Sequence, residues 1–178
     1  LLENLHGEHG ILSGLKPGAI HVCLSTISPD CADELAVIHR RHGSFYVSGP
    51  VVGRLDAAAS GQLITYLAGD AEAIREVTPI CESYAQRIIA MPGRARDANS
   101  MKLCINYNVL AILELMGETY AFAEKCGLPT EYIRDFYQRE AFAHPAFRMY
   151  AERIRARDFA GGGGFVMRAG LKDARLML

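Results

Sequence analysis

The sequence predicts an α/β sheet region that continues through one long helix into an all-helical region. Three observations carry this. Strand-like and helix-like segments alternate from Ile20 to Ala90, a single helical pattern runs from Asp97 to about Cys126, and no convincing strand pattern follows it.

The elements follow in order. After the turn signal Lys16-Pro17-Gly18, Ile20 to Leu24 is a short β-rich run. Asp30 to His42 has helical apolar spacing at Cys31, Leu35 and Ile38, and Gly43 ends it. Phe45-Tyr46-Val47 and Leu63 to Ala68 read as strands, Ala71 to Tyr84 as a helix and Arg87 to Ala90 as a further strand. The long helix stops where Gly127 can serve as its C-terminal cap. Thr130 to Arg139 restarts a helix with Thr130 as N-cap, and Ala143 to Arg157 forms another. The four glycines Gly161 to Gly164 break the chain as a loop, and Arg168 to Leu178 is again helical. The expected division is thus residues 1–95 for the sheet region and 96–178 for the long helix and helical region. Leu1 to His6 reads as the inside of a helix and the last segment has no stop signal, so both ends look cut.

Half of the 178 residues are hydrophobic, enough for a substantial core. With 19 basic against 20 acidic residues, evenly spread, nucleic acid is not an expected partner. The longest apolar runs, Ile88 to Met91 and Val109 to Leu113, fall far short of the roughly 20 residues of a membrane-spanning helix, so no membrane association is expected. The start lacks the basic segment, apolar stretch and cleavage site of a secretory signal. Five cysteines without a Cys-x-x-Cys pair read as buried thiols in a reducing, cytoplasmic setting. His6 and His9 are interrupted by glycines and have no third ligand near them, so no metal site is expected.

Four places could carry chemistry. Lys102 and Asn106, one helical turn apart, share a face amid Leu103, Ile105, Leu110 and Leu113; spacing alone favours an exposed polar stripe over a site. Ser25 and Thr26 end a strand, where open α/β sheets bind ligands, while Ser28 or Asp30 can cap the next helix with Pro29 at its first position. Ser48 to Arg54 again ends a strand with small residues that let a ligand approach the backbone, or forms a plain turn. Lys172-Asp173 alone would be a surface ion pair.

In order, Ser25-Thr26-Ile27-Ser28-Pro29, Gly49-Pro50-Val51-Val52-Gly53, the segment from Gly61-Gln62-Leu63 to Ala68-Gly69, Met101-Lys102-Leu103-Cys104-Ile105-Asn106 and Gly170-Leu171-Lys172-Asp173 resemble successive motifs of the 3-hydroxyisobutyrate dehydrogenase family. The resemblance covers almost the whole chain. It implies the latter part of a Rossmann NAD(P)-binding domain, a long interdomain helix and an all-helical C-terminal domain. It also implies hydride transfer between NAD or NADP, with NADP the favoured of the two, and a small β-hydroxyacid or the corresponding aldehyde or keto compound. By this resemblance Lys102 is the catalytic lysine and Asn106 holds the substrate. Ser25 and Thr26 lie beside the nicotinamide, and Lys172 is a cofactor-side lysine with Asp173, a substrate-binding residue, beside it. A homodimer through the helical region is expected from its apolar faces.

Two departures qualify this. Where family members typically carry Ser-Gly-Gly to grip a carboxylate, this chain has Val52-Gly53-Arg54; these three are assigned to substrate binding, with a specificity other than 3-hydroxyisobutyrate. The run from Gly53 to Ala58 is similar to the imine-reductase-like branch, whose members usually replace the lysine retained here at 102, and an imine reductase is therefore the alternative, as is a non-catalytic dimeric interaction protein on the same fold. The chain contains no Gly-x-Gly-x-x-Gly, so the chain alone is expected to be inactive and to lack the first half of the nucleotide-binding domain and the last helical turns.

Overall fold

The computed structural model describes residues 2–141, 145–159 and 166–176. The chain divides into two compact units, one of residues 1–106 with 165–178 and one of residues 107–164.

In the first unit, β1 (Ile20–Cys23), β2 (Phe45–Ser48), β3 (Val51–Val52), β4 (Leu63–Gly69) and β5 (Ala85–Pro92) form one mixed sheet. β1 and β2 are parallel, β4 and β5 are parallel, and β4 runs antiparallel to both β2 and β3. β2 and β3 follow one register along β4, Ser48 opposite Ala68 and Val51 opposite Thr65, with Gly49-Pro50 between them. The Pro50 carbonyl accepts from the Tyr66 amide there, so proline's missing donor interrupts the ladder without ending it.

The sheet is covered on both faces, because alternate strand residues point to opposite sides. Tyr46 joins Leu5, Cys23, Ala32, Leu35 and Ala95 on one face, while the next residue, Val47, joins Leu67, Ile74, Val77 and Cys81 on the other. The first face is closed by α2 (Pro29–His42), the second by α4 (Ala71–Cys81). Both helices begin on a side-chain cap. Ser28 Oγ accepts from the Cys31 amide with Pro29 in the first turn, and Asp70 Oδ1 accepts from the amides of Glu72 and Ala73 at 2.9 and 3.1 Å. Gly43 ends α2 in the left-handed conformation, as its position in the sequence predicts. Within this core His39 Nδ1 donates to the Leu35 carbonyl, which leaves Nε2 to accept from His21 Nδ1 at 2.9 Å; burial lowers the proton affinity of both rings.

The second unit contains most of α5 (Arg96–Lys125), then α6 (Thr130–Phe136), a π-helical turn (Tyr137–Ala141) and α7 (Pro145–Arg155). Met116, Tyr120, Tyr137 and Ala151 form its core. The two buried tyrosines place their hydroxyls on polar partners, Tyr120 on the Ala151 carbonyl and Tyr137 on Thr119 Oγ1. The last helix, α8 (Met167–Arg175), belongs to the first unit.

The structure corrects several expectations. Leu2–Asn4 is a single 3-10 turn and not the inside of an α-helix, because Gly7, with φ of 95°, turns the chain within one turn of it. Thr130 is the first residue of α6 and caps nothing; Pro129 occupies the cap position. The helix expected to reach Arg139 changes to the π-helical turn at Tyr137, which buries that ring. Only Cys23 and Cys81 are buried, whereas Cys104 and Cys126 are exposed, since single apolar neighbours do not decide which face a helical residue takes. Three short elements escape periodicity altogether: α1 (Ile11–Gly14), β3 and α3 (Leu55–Ala59). The glycine run Gly161–Gly164 and the expected helix start at Ala143 lie outside the described residues. Among the described residues no helix is long and apolar enough to cross a membrane.

Asp70 is the cap on which α4 depends. Asp70→Ala is expected to lower the unfolding free energy by about 1 kcal/mol, read from the midpoint of urea denaturation; an unchanged midpoint would mean that water replaces the cap without cost.

Candidate functional site

The carboxyl ends of the parallel strands β1 and β2 lie side by side, Cys23 paired with Ser48. The loop leaving β1 carries an exposed Leu24 and an exposed Ser25, followed by the half-buried Thr26 and Ile27. Two side chains from elsewhere hold it. Lys172 of α8 donates from Nζ to the Thr26 carbonyl at 3.0 Å, and Asn99 of α5 accepts the Ile27 amide at 2.9 Å.

α5 brings Lys102 and Asn106 to one face, and the solvated-stripe alternative fails there: Asn106 is 6% exposed and Lys102 is half-buried. The Asn106 amide nitrogen donates to Asp173 Oδ2. Asp173, 3% exposed, has its other oxygen 2.7 Å from Lys172 Nζ, an ion pair not aligned as a hydrogen bond. Lys172 and Asp173 are therefore no ordinary surface pair, because one partner is buried and its charge needs compensation. Their distance in sequence from Asn106 hid this contact from residue spacing.

Burial is the largest influence on Lys102 and pushes its proton affinity below the usual lysine range. The Asp173 carboxylate opposes that shift, and the Lys172 ammonium reinforces it. The outcome is an amine that gives up its proton more readily than a surface lysine.

The segment assigned to substrate binding at Val52, Gly53 and Arg54 has a different local logic. Val52 is a strand residue paired with Ile64, and Arg54 Nε lies 3.6 Å from Asp56 Oδ1 at the start of α3. A Cβ on Gly53, whose φ is 145°, would lie 2.5 Å from Leu63 Cδ2, and one on Gly49 would lie 3.0 Å from Val22 Cγ1. Packing within the fold thus accounts for both glycines. Asn99, fully buried, is the residue that sequence reasoning missed, since an asparagine in a helical run gives no signal until its two partners are known.

The loop after β1, with an exposed hydroxyl and an apolar neighbour at the carboxyl end of the strand, fits the nicotinamide end of a dinucleotide. The sequence holds no glycine fingerprint to fit its pyrophosphate.

Residues 1–93 match the NAD binding domain of 6-phosphogluconate dehydrogenase. An uncharacterized oxidoreductase of Bacillus subtilis, YfjR, is 35% identical over 172 residues, covering 97% of this chain and 59% of its own. A probable 3-hydroxyisobutyrate dehydrogenase-like protein of Arabidopsis thaliana is 29% identical over 163 residues, covering 89% of this chain and 52% of its own. Among solved structures, a 3-hydroxyisobutyrate dehydrogenase from Salmonella typhimurium shares the fold with a TM-score of 0.83 at 20% identity, over 94% of this chain and 58% of that one. The chain thus spans between half and three-fifths of the length of these relatives.

The charges around Lys102 make a paired prediction. After reductive methylation with a 13C label, the Lys102 resonance should titrate at lower pH than a methylated lysine in a short unstructured peptide. Asp173→Asn should move it lower still, because the carboxylate that favours the ammonium is gone, and Lys172→Ala should move it higher. Shifts of the opposite sign would show that these groups do not govern the amine.

Proposed function

We propose that this chain, which belongs to the 3-hydroxyisobutyrate dehydrogenase family, carries the proton-transfer side of an NAD- or NADP-dependent oxidoreductase acting on a small β-hydroxyacid or the corresponding aldehyde or keto compound. The observation that carries this reading is the half-buried Lys102, its ammonium disfavoured by desolvation, one turn from a buried Asn106 and its Asp173 partner.

A bound NAD or NADP supplies or accepts the hydride. The chain's own residues handle the proton. In the reducing direction Lys102 Nζ donates to the carbonyl oxygen on which negative charge develops; in the oxidising direction the neutral amine removes the hydroxyl proton. Asn106, with its nitrogen engaged by Asp173, presents its Oδ1 toward a substrate hydroxyl, so Asp173 acts by setting the orientation of Asn106. Ser25 and Thr26 would hold the nicotinamide end of the cofactor. Lys172, just over half exposed, adds positive potential for an anionic substrate. Val52, Gly53 and Arg54 flank the substrate carboxylate, with Val52 in place of the family's serine and Arg54 in place of its second glycine, and this favours an acid other than 3-hydroxyisobutyrate.

The reading of an imine reductase has less support, because Lys102 is present and set in a polar network. For assembly we propose a homodimer through the helical region, supported by the exposed Leu115, Phe122, Tyr132 and Phe136 of the second unit. Five free cysteines suit a reducing compartment such as the cytoplasm.

The test uses the gene-encoded protein with NADH and NADPH and a panel of short β-hydroxyacids and their oxo forms. Lys102→Ala should lower kcat on the order of 10²–10⁴-fold while the fluorescence of bound NADH or NADPH reports unaltered affinity; turnover near that of the parent would remove Lys102 from the reaction. Lys172→Ala should raise KM for the acid at low salt and lose this effect at high salt. A salt-independent KM would dismiss the attraction.

A further inference from the structure

Asn99 stands on α5 one turn before Lys102 and is fully buried. Both ends of its amide are engaged. Oδ1 accepts from the Ile27 amide at 2.9 Å, and Nδ2 donates to Oγ of Ser48, the last residue of β2, itself fully buried. These partners precede it by 72 and 51 residues. A buried amide is tolerated only when both donor and acceptor are satisfied, whereas a leucine would fill the same space without that requirement.

Docking of α5 against its neighbours does not explain this amide. The first turn is already anchored on α2, with Arg96 paired to Asp30 at 2.7 Å and Asp33 at 3.2 Å, and with Ala95 in the core. What the Asn99 bonds add is geometrical. The loop bearing Ser25 and Thr26 is gripped on one side by Lys172 through the Thr26 carbonyl and on the other by Asn99 through the Ile27 amide. The second bond locks the same asparagine to the end of the adjacent strand, where the Gly49 amide donates back to the Cys23 carbonyl at 2.8 Å. A turn of α5, the loop after β1 and the last residue of β2, distant in sequence, thus meet through one side chain.

The geometry points to Asn99 as a positioning residue for the reaction: it sets the Lys102 turn of α5 against the loop at the carboxyl end of β1, so that proton donor and nicotinamide wall address the same substrate carbon–oxygen bond. This rests on the oxidoreductase reading above. Asn99 itself touches no reacting atom. Its contribution is alignment, for which displacements near 1 Å cost about a hundredfold in rate.

The experiment compares Asn99→Ala, Asn99→Asp and the core variant Val77→Ala in the gene-encoded protein, with the β-hydroxyacid that the panel selects. Asn99→Ala should lower kcat about 10- to 100-fold with KM and NAD(P)H affinity changed far less, and amide exchange at Ile27 should accelerate. Asn99→Asp should restore most of kcat, since a carboxylate accepts from the Ile27 amide and the Ser48 hydroxyl can turn to donate to it. Val77→Ala should lower the Tm without a comparable fall in kcat. The inference is overturned if Asn99→Ala keeps its kcat, if it loses no more than Val77→Ala, or if Asn99→Asp is as impaired as Asn99→Ala. Should Asn99→Ala not fold, Ser48→Ala decides, with unchanged kcat as the contrary result. A parent protein inactive on the whole panel would remove the oxidoreductase reading and this inference together, whereas an active parent indifferent to Asn99 removes this inference alone.

Discussion

A carboxylate taken out of water must be matched by charge and hydrogen bonds, and Asp173 meets that demand with two partners that lie on different parts of the chain. Asn106 donates from α5 and Lys172 supplies the counter-charge from within α8. Because Lys172 at the same time donates to the Thr26 carbonyl, compensating this one buried charge ties α8, α5 and the loop after β1 to one another. Removal of any member would leave a charge or donor buried without its partner, which is far more costly than the loss of an exposed ion pair.

The same cluster tunes the amine at position 102. Desolvation disfavours the ammonium, Asp173 restores part of its stability, and Lys172 takes some of that away. The carboxylate that opposes the desolvation is itself shared with Asn106 and Lys172. Asn99, a turn earlier on α5, applies the same economy, using one amide to join the loop after β1 to the end of β2.

The elements were legible in the sequence wherever period and punctuation agreed. Apolar spacing with Ser28-Pro29 before it and Gly43 after it marks α2 to within a residue, and the helix expected from Ala71 begins there as α4, though it ends at Cys81 and not at Tyr84. Elements of two to five residues, such as β3 and α3, are too short to show a period, and their existence depends on pairing with β4 and on Gly53 fitting beneath Leu63. The mixed direction of the sheet was likewise invisible, since alternating strands and helices state nothing about which way β4 runs relative to β2.

For the site, the sequence by itself determined the inventory and the face. Spacing four apart puts Lys102 and Asn106 on one side of a helix, and the motifs around them carry the family resemblance. It could not determine burial or partnership, because both depend on residues that are far apart along the chain. Only the tertiary structure decided that Asn106 is out of solvent and bound to Asp173, that the Lys172-Asp173 pair is half-buried, and that Asn99 is buried between two partners distant in sequence. The physical reason is common to all three: desolvation and hydrogen-bond satisfaction are properties of a packed neighbourhood, and that neighbourhood exists only once α8 and the loop after β1 have closed around α5.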